Sequence, residues 1–216
     1  MKNYVVNKSD MPGYLFESIQ QYVQELINKF ESKSVMLTDS EFKKKNYDLY
    51  AKIAEFYKKA ANPMFQFQDE IYLTLRITSG IDNKYNNLLH FDTHYSTIVH
   101  PIIFKNFSES KNGDLLISKK MRNSDGYLIN VIKKFFMQNI FYRKYIKKNI
   151  NEKFDVVKLS VGEQVSFCGY RTFHGNDNIE EGKIRASLII HSQEMFKDSF
   201  LFKLIKFFRH YRYKLT

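Results

Sequence analysis

The run Ile71-Tyr72-Leu73-Thr74-Leu75-Arg76-Ile77 alternates apolar and polar side chains residue by residue. That is the period of a β-strand with one greasy face and one polar face. Upstream of it the period is different. From Met11 to about Phe30, and again from Asp39 to about Ala61, apolar residues recur at three- and four-residue spacing, with Tyr47, Tyr50, Ile53, Ala54 and Tyr57 in one stripe. This spacing predicts two helices. Thr38-Asp39-Ser40-Glu41 supplies a capping start for the second and Asn62-Pro63 a stop. Downstream, short β-like runs follow at Ser96–Phe104, Asp114–Ser118, Val156–Leu159, Gln164–Cys168 and Ile184–His191. Six of the eight glycines lie beyond residue 100, near the presumed turns. A helical insertion at about 126–149 interrupts the strands, and a helix at about 197–214 closes the chain. The reading is a single mainly-β domain with flanking helices: N-terminal helices over 1–63, a β core over 64–192 and a basic amphipathic segment over 197–216.

A chain of 216 residues, 44% hydrophobic and 16% aromatic, buries a core without staples. The single cysteine, Cys168, excludes an internal disulfide framework and any multi-thiolate metal site. No stretch approaches the roughly 18 uncharged apolar residues of a spanning helix, so a cytoplasmic protein is expected, peripheral at most at the inner face of a membrane. The net charge of +11 is concentrated. Residues 119–148 hold nine Lys/Arg against one Asp, and residues 197–216 hold six against one. Both segments interleave that charge with Phe, Tyr, Leu and Ile, which suits an anionic and greasy surface better than a phosphate groove. On the closing helix Phe200, Leu201, Leu204, Ile205, Phe207, Phe208, Tyr211 and Leu215 gather on one side and Lys203, Lys206, Arg209, His210 and Lys214 on the other.

Six histidines are available. His90-Phe91-Asp92 places an imidazole and a carboxylate two residues apart, on one face of an extended segment. His174 stands just past a later β-like run. Two His and one carboxylate on one face of a metal leave its other positions open. Eleven residues on, in Ile184-Arg185-Ala186-Ser187-Leu188-Ile189-Ile190-His191, alternation sets Arg185, Ser187, Ile189 and His191 on one face. An inward arginine is costly unless it binds something, and a guanidinium forks naturally onto a carboxylate. His94 and His100 read as neighbours of the site rather than ligands. Tyr72, Thr74 and Arg76 face either the barrel interior or solvent, and Tyr170 with Arg171 either reaches substrate or caps a strand.

In this order and spacing the residues resemble the iron(II)/2-oxoglutarate-dependent dioxygenases, most closely the phytanoyl-CoA and prolyl hydroxylase branches. The resemblance spans about residues 72–191 and includes Asn112-Gly113-Asp114-Leu115, which looks like the family's glycine turn. It implies a double-stranded β-helix, the cupin-like jelly roll. It further implies that His90, Asp92 and His174 ligate iron(II), and that Arg185 and Ser187 hold the distal carboxylate of the cosubstrate 2-oxoglutarate. Dioxygen is then the second cosubstrate, and the reaction couples decarboxylation to succinate with hydroxylation of an unactivated C–H bond. Where prolyl hydroxylases often set a tyrosine against the cosubstrate, this chain offers Ile103 or Phe104. Asp92, where halogenating relatives carry Ala or Gly, favours hydroxylation. The expected substrate is a small molecule or a glycan or lipid-linked intermediate near an anionic membrane surface reached through 197–216. The alternatives are a non-redox cupin-like metal-binding or isomerase module, which would have no need of Arg185, and a nucleic-acid-directed oxygenase.

Overall fold

The computed structural model describes residues 2–59, 70–82, 89–106, 112–123, 129, 132, 149–195 and 200. The elements among these residues are β1 (Tyr4–Lys8), α1 (Gly13–Lys29), β2 (Val35–Leu37), α2 (Asp39–Lys45), α3 (Tyr47–Lys59), β3 (Ile71–Ser79), β4 (His94–Lys105), β5 (Leu115–Met121), α4 (Ile150–Lys153), β6 (Phe154–Val157), β7 (Glu163–Cys168), β8 (Thr172–Asn176) and β9 (Ile184–Glu194). Among the described residues six strands form one sheet in the order β1-β7-β4-β9-β3-β2, and three form a second in the order β6-β5-β8. Every pairing is antiparallel. A bridge between His90 and His174 adds the His90 segment beside β8. The two sheets make the jelly roll.

The larger sheet has two unlike faces. Leu73, Leu75 and Ile77 of β3 and Ala186, Leu188 and Ile190 of β9 are buried against Leu15, Ile19 and Val23 of α1 and Ile53 and Tyr57 of α3. Each such side chain contributes roughly 1.5–3 kcal/mol by leaving water, so this layer carries much of the stability. The other face looks into the barrel. There β3 and β9 run in register, Tyr72 opposite His191, Thr74 opposite Ile189, Arg76 opposite Ser187 and Thr78 opposite Arg185. The polar side of β3, for which alternation leaves interior and solvent open, is therefore barrel interior.

Helical spacing over Asp39–Ala61 predicts one helix, and the chain makes two, α2 and α3. Asn46 breaks it. Its backbone turns out of the helix at φ −150°, and its side-chain carbonyl accepts the Leu49 N–H at 3.2 Å, starting α3. The apolar stripe continues across the break because both helices lie on the same sheet. Glu41 accepts the Thr38 N–H at 2.9 Å, the expected capping start. Asp39 accepts from the Leu73 N–H and the Tyr50 hydroxyl, each at 2.7 Å, which ties the helices to β3. The N-terminal 63 residues also hold two strands that periodicity does not predict, β1 and β2, at the two edges of the large sheet. The expected helices at 126–149 and 197–214 lie almost wholly outside the described residues; Ile129, Ile132 and Phe200 are helical and exposed. No helix of the described residues is long and apolar enough to cross a membrane.

Candidate active site

His90 and Asp92 enter on the segment before β4, and His174 enters from the middle of β8. Two backbone bonds lock these segments side by side, His90 N–H to the His174 carbonyl at 2.8 Å and His174 N–H to the His90 carbonyl at 3.0 Å. The ligand atoms of His90, Asp92 and His174 lie within 4.8 Å of one another. His90 Nε2 stands 3.3 Å from Asp92 Oδ1, and His174 Nε2 stands 3.4 Å from Asp92 Oδ2. Asp92 and His174 are buried, and His90 is half-buried.

The proton positions show what this cluster is made to hold. His174 Nδ1 lies 2.9 Å from the Thr172 carbonyl, which can only accept, so Nδ1 carries a hydrogen. In the neutral ring Nε2 is then a lone pair, aimed at a carboxylate oxygen. Two acceptors facing each other call for a positive charge between them. Burial, with the neighbouring His174, pushes the His90 pKa down against the pull of Asp92. Burial would push Asp92 up, but the neighbouring His174, His191 and His90 outweigh it and hold the carboxyl well below its usual range. A neutral imidazole beside an ionised carboxylate is the state that binds a divalent cation, and the donor set of two nitrogens and one oxygen suits iron(II).

Three residues that motif reasoning does not single out for this role hold Asp92 in place. The Thr97 hydroxyl donates to Asp92 Oδ2 at 2.6 Å. Its hydrogen is thereby spent, so its oxygen accepts from His191 Nδ1 at 3.1 Å. The Asp92 N–H donates to the Gly169 carbonyl at 3.0 Å, and a Cβ at Gly169 would collide with Thr97 Oγ1 and the Asp92 carboxylate. Only glycine lets the chain pass so close. Alternation places His191 on the face of Arg185, whereas Thr97 carries no motif at all.

Arg185 and Ser187 lie on the same interior wall, in one cavity with the His-Asp-His cluster. Arg185 Nε donates to Ser187 Oγ at 3.3 Å, and Nη1 donates to the Gly113 carbonyl, on a turn where Gly113 takes φ +70°. Nη2 is buried without a hydrogen-bond partner. Burial lowers the Arg185 pKa to about 10, which leaves the guanidinium charged at neutral pH. A buried charged donor with an open hydrogen is a place for a carboxylate. Phe104, not Ile103, stands by it, its ring centroid 5.7 Å from the guanidinium carbon; Ile103 packs toward the helical layer.

The remaining candidates separate cleanly. His94 stacks on His191 at 4.8 Å between ring centroids. His100 points the other way, into the helical layer beside Phe16 and Tyr57. The Tyr170 carbonyl accepts from Arg122 at 2.6 and 2.9 Å while Arg171 Nε donates to the Arg122 carbonyl at 2.9 Å, so this pair braces the strand ends instead of reaching the cavity.

Among solved structures, the carbocyclase SnoK from nogalamycin biosynthesis, described as non-heme and alpha-ketoglutarate-dependent, matches with a TM-score of 0.60 at 9% identity, covering 94% of this chain and 86% of that one. The chain has the fold of the iron/2-oxoglutarate-dependent oxygenases. The epimerase SnoN of the same biosynthesis matches at TM-score 0.57 and 11% identity, covering 88% and 79%. HygX from Streptomyces hygroscopicus, solved with nickel and 2-oxoglutarate bound, matches at 0.54 and 8%, covering 90% and 84%. No protein-family model matches the sequence, and no curated protein does.

Proposed function

We propose that the protein is an iron(II)- and 2-oxoglutarate-dependent oxygenase that hydroxylates an unactivated C–H bond. One observation carries the reading: a largely buried His-Asp-His cluster with opposed acceptors shares its cavity with a buried arginine that has an open donor. Iron(II), when bound, supplies the activation of dioxygen coupled to decarboxylation of the 2-oxo acid. The chain's own residues do the rest. His90, Asp92 and His174 hold the metal from one side, and the Thr172 carbonyl keeps the His174 tautomer that points Nε2 inward. Thr97 and Gly169 fix the carboxylate, while Arg185 and Ser187 take the far carboxylate of the cosubstrate and set its reacting end toward the metal. The barrel walls, with Val99, Leu115 and Ile189, exclude water. Retention of a carboxylate at Asp92 supports hydroxylation as the outcome.

The substrate on this reading is held near an anionic membrane surface, as a glycan or lipid-linked intermediate would be. Supporting this are the charge excess of 119–148 and 197–216 and the exposed Ile129, Ile132 and Phe200 within or beside them. The deciding experiment is anaerobic addition of iron(II) and then 2-oxoglutarate, watching for the weak visible charge-transfer band of the chelate. Its appearance in the wild type and absence in His174→Ala is the expected result. Binding of neither iron nor 2-oxoglutarate would remove the enzyme reading and leave a cupin-like module.

A further inference from the structure

His174 has a polar neighbour on the cavity face of β8. Asn176 stands two residues on, so its side chain leaves the strand on the same side, and both residues line the cavity. Its amide has one arrangement open to it. Arg76 Nη1, which can only donate, reaches Oδ1 at 3.3 Å, and the Gly113 carbonyl, which can only accept, lies 3.0 Å from Nδ2. The amide oxygen therefore faces Arg76 and the NH2 faces Gly113. That same carbonyl takes Arg185 Nη1.

A carbonyl oxygen accepts along two lone pairs. With Asn176 on one, Arg185 is confined to the other. Arg185 Nε is bonded to Ser187 Oγ at 3.3 Å, so two sides of the guanidinium are fixed and the buried Nη2 is the side left for a carboxylate. The Gly113 turn is itself tied to the end of β8, through the Gly113 N–H to the Asn178 carbonyl at 3.0 Å and the Asp177 N–H to the Asp114 carbonyl at 2.8 Å. Arg185 belongs to the large sheet, whereas this turn leads into β5 of the small one, beside the strand that carries His174. We infer that Asn176 is a positioning residue for 2-oxoglutarate: through the Gly113 carbonyl it sets the rotation of the Arg185 guanidinium relative to the metal-facing His174. The inference rests on the oxygenase reading. A neutral amide suits the place, because a carboxylate there would compete with the cosubstrate for Arg185 and an ammonium would repel the guanidinium.

The test uses full-length protein loaded anaerobically with iron(II), and binding is read from the charge-transfer band. Two probes are titrated: 2-oxoglutarate, which needs both ends of the cavity, and pyruvate, a 2-oxo acid with no distal carboxylate. Asn176→Ala should weaken 2-oxoglutarate binding about tenfold and leave pyruvate within about threefold of wild type, since only the first probe draws on the oriented guanidinium. A merely structural role moves both probes together. Equal losses for the two, or an unchanged 2-oxoglutarate affinity in Asn176→Ala, would overturn the inference. Asn176→Asp keeps an acceptor for Arg76 but has no hydrogen for Gly113. Full 2-oxoglutarate affinity in that variant would also overturn the inference, by showing that the bond to Gly113 is not what the site uses. Iron uptake by each variant shows that it has folded, and Asn176→Ser, polar but too short to reach Gly113, carries the same comparison if alanine does not fold. Failure of wild-type protein to take up iron and 2-oxoglutarate is the distinct result that sinks the oxygenase reading itself.

Discussion

His100 and His174 are both buried, both on strands of the same barrel, and they could not be less alike. His174 projects between the sheets, with one nitrogen bonded to a backbone carbonyl and the other aimed at a carboxylate. His100 projects from the opposite face of the large sheet, against Phe16 and Tyr57, with its Nε2 lacking a hydrogen-bond partner. The same division runs down β9, where Arg185, Ser187 and His191 face the cavity and Ala186, Leu188 and Ile190 face the helices. One side of the sheet is packed against the helices and the other gathers the polar groups of the candidate site. A strand's two-residue period is what allows a single segment to do both.

The division is most sharply tested by breaking each side alone. His174→Ala should lower metal affinity by more than about 100-fold, read by calorimetry, while the unfolding midpoint of the metal-free protein moves little. Leu188→Ala should do the reverse: about 2–5 kcal/mol lost in denaturant unfolding from the cavity left against the helices, with metal affinity per folded molecule kept. If Leu188→Ala costs as much metal affinity as His174→Ala, the two faces are coupled and the comparison fails.

The pH dependence separates the two histidines again. Burial depresses the His100 pKa from 6.5 to about 4. The folded state therefore prefers neutral His100, and the stability this represents is complete above pH 6.5. It is lost as pH falls from 6.5 through 4, to a limit of roughly 3 kcal/mol. His100→Phe, which keeps a ring against Phe16, should flatten the stability curve across that window. A wild-type curve and a variant curve of equal slope would show that His100 is not the group responsible.

Much of this division is legible in the amino-acid sequence. Alternation in Ile71–Ile77 and Ile184–His191 is a local property, and the strands it implies are present as β3 and β9. His90-x-Asp92 is visible because two candidate ligands on one face of an extended segment stand two residues apart. The parts that cannot be read this way depend on strand pairing or on side-chain bonds that periodicity does not carry. β1 and β2 are short edge strands whose identity comes from pairing with β7 and β3. Asn46 breaks a helix through its side chain, while the apolar spacing that signals a helix runs on unbroken. The choice between interior and solvent for Arg76 depends on which face of β9 lies beside it. Thr97 bonds Asp92, five residues before it, through a side-chain contact that no apolar period signals.

Within the chemical face the next largest effect belongs to Arg185. Lysine keeps a charge but cannot fork across a carboxylate while also bonding Ser187. Arg185→Lys should raise the dissociation constant for 2-oxoglutarate by roughly tenfold to a hundredfold, with iron binding nearly unchanged. Equal losses of both would make Arg185 a structural residue and merge the two ends of the cavity.

The smallest effect, and the most specific, is expected at Thr97. Its hydroxyl touches neither helix layer nor solvent; it donates to Asp92 Oδ2 and accepts from His191. Thr97→Val keeps the branched shape that β4 packs and removes only the hydroxyl. Asp92 would keep its backbone anchor at Gly169 and its histidine neighbours but lose the bond that sets its rotation. Loss of such an orienting bond costs about tenfold or more in metal affinity at comparable sites, and it leaves the His191 N–H facing the carboxylate from 3.7 Å as a partial substitute. The expected result is therefore a weakening of about tenfold with cosubstrate affinity preserved once metal is saturating. A Thr97→Val protein whose metal affinity equals wild type would show that Asp92 is held by the backbone and the histidines alone. A Thr97→Ser protein that restores full affinity would show that the hydroxyl, not the packing of the methyl, is what the site uses.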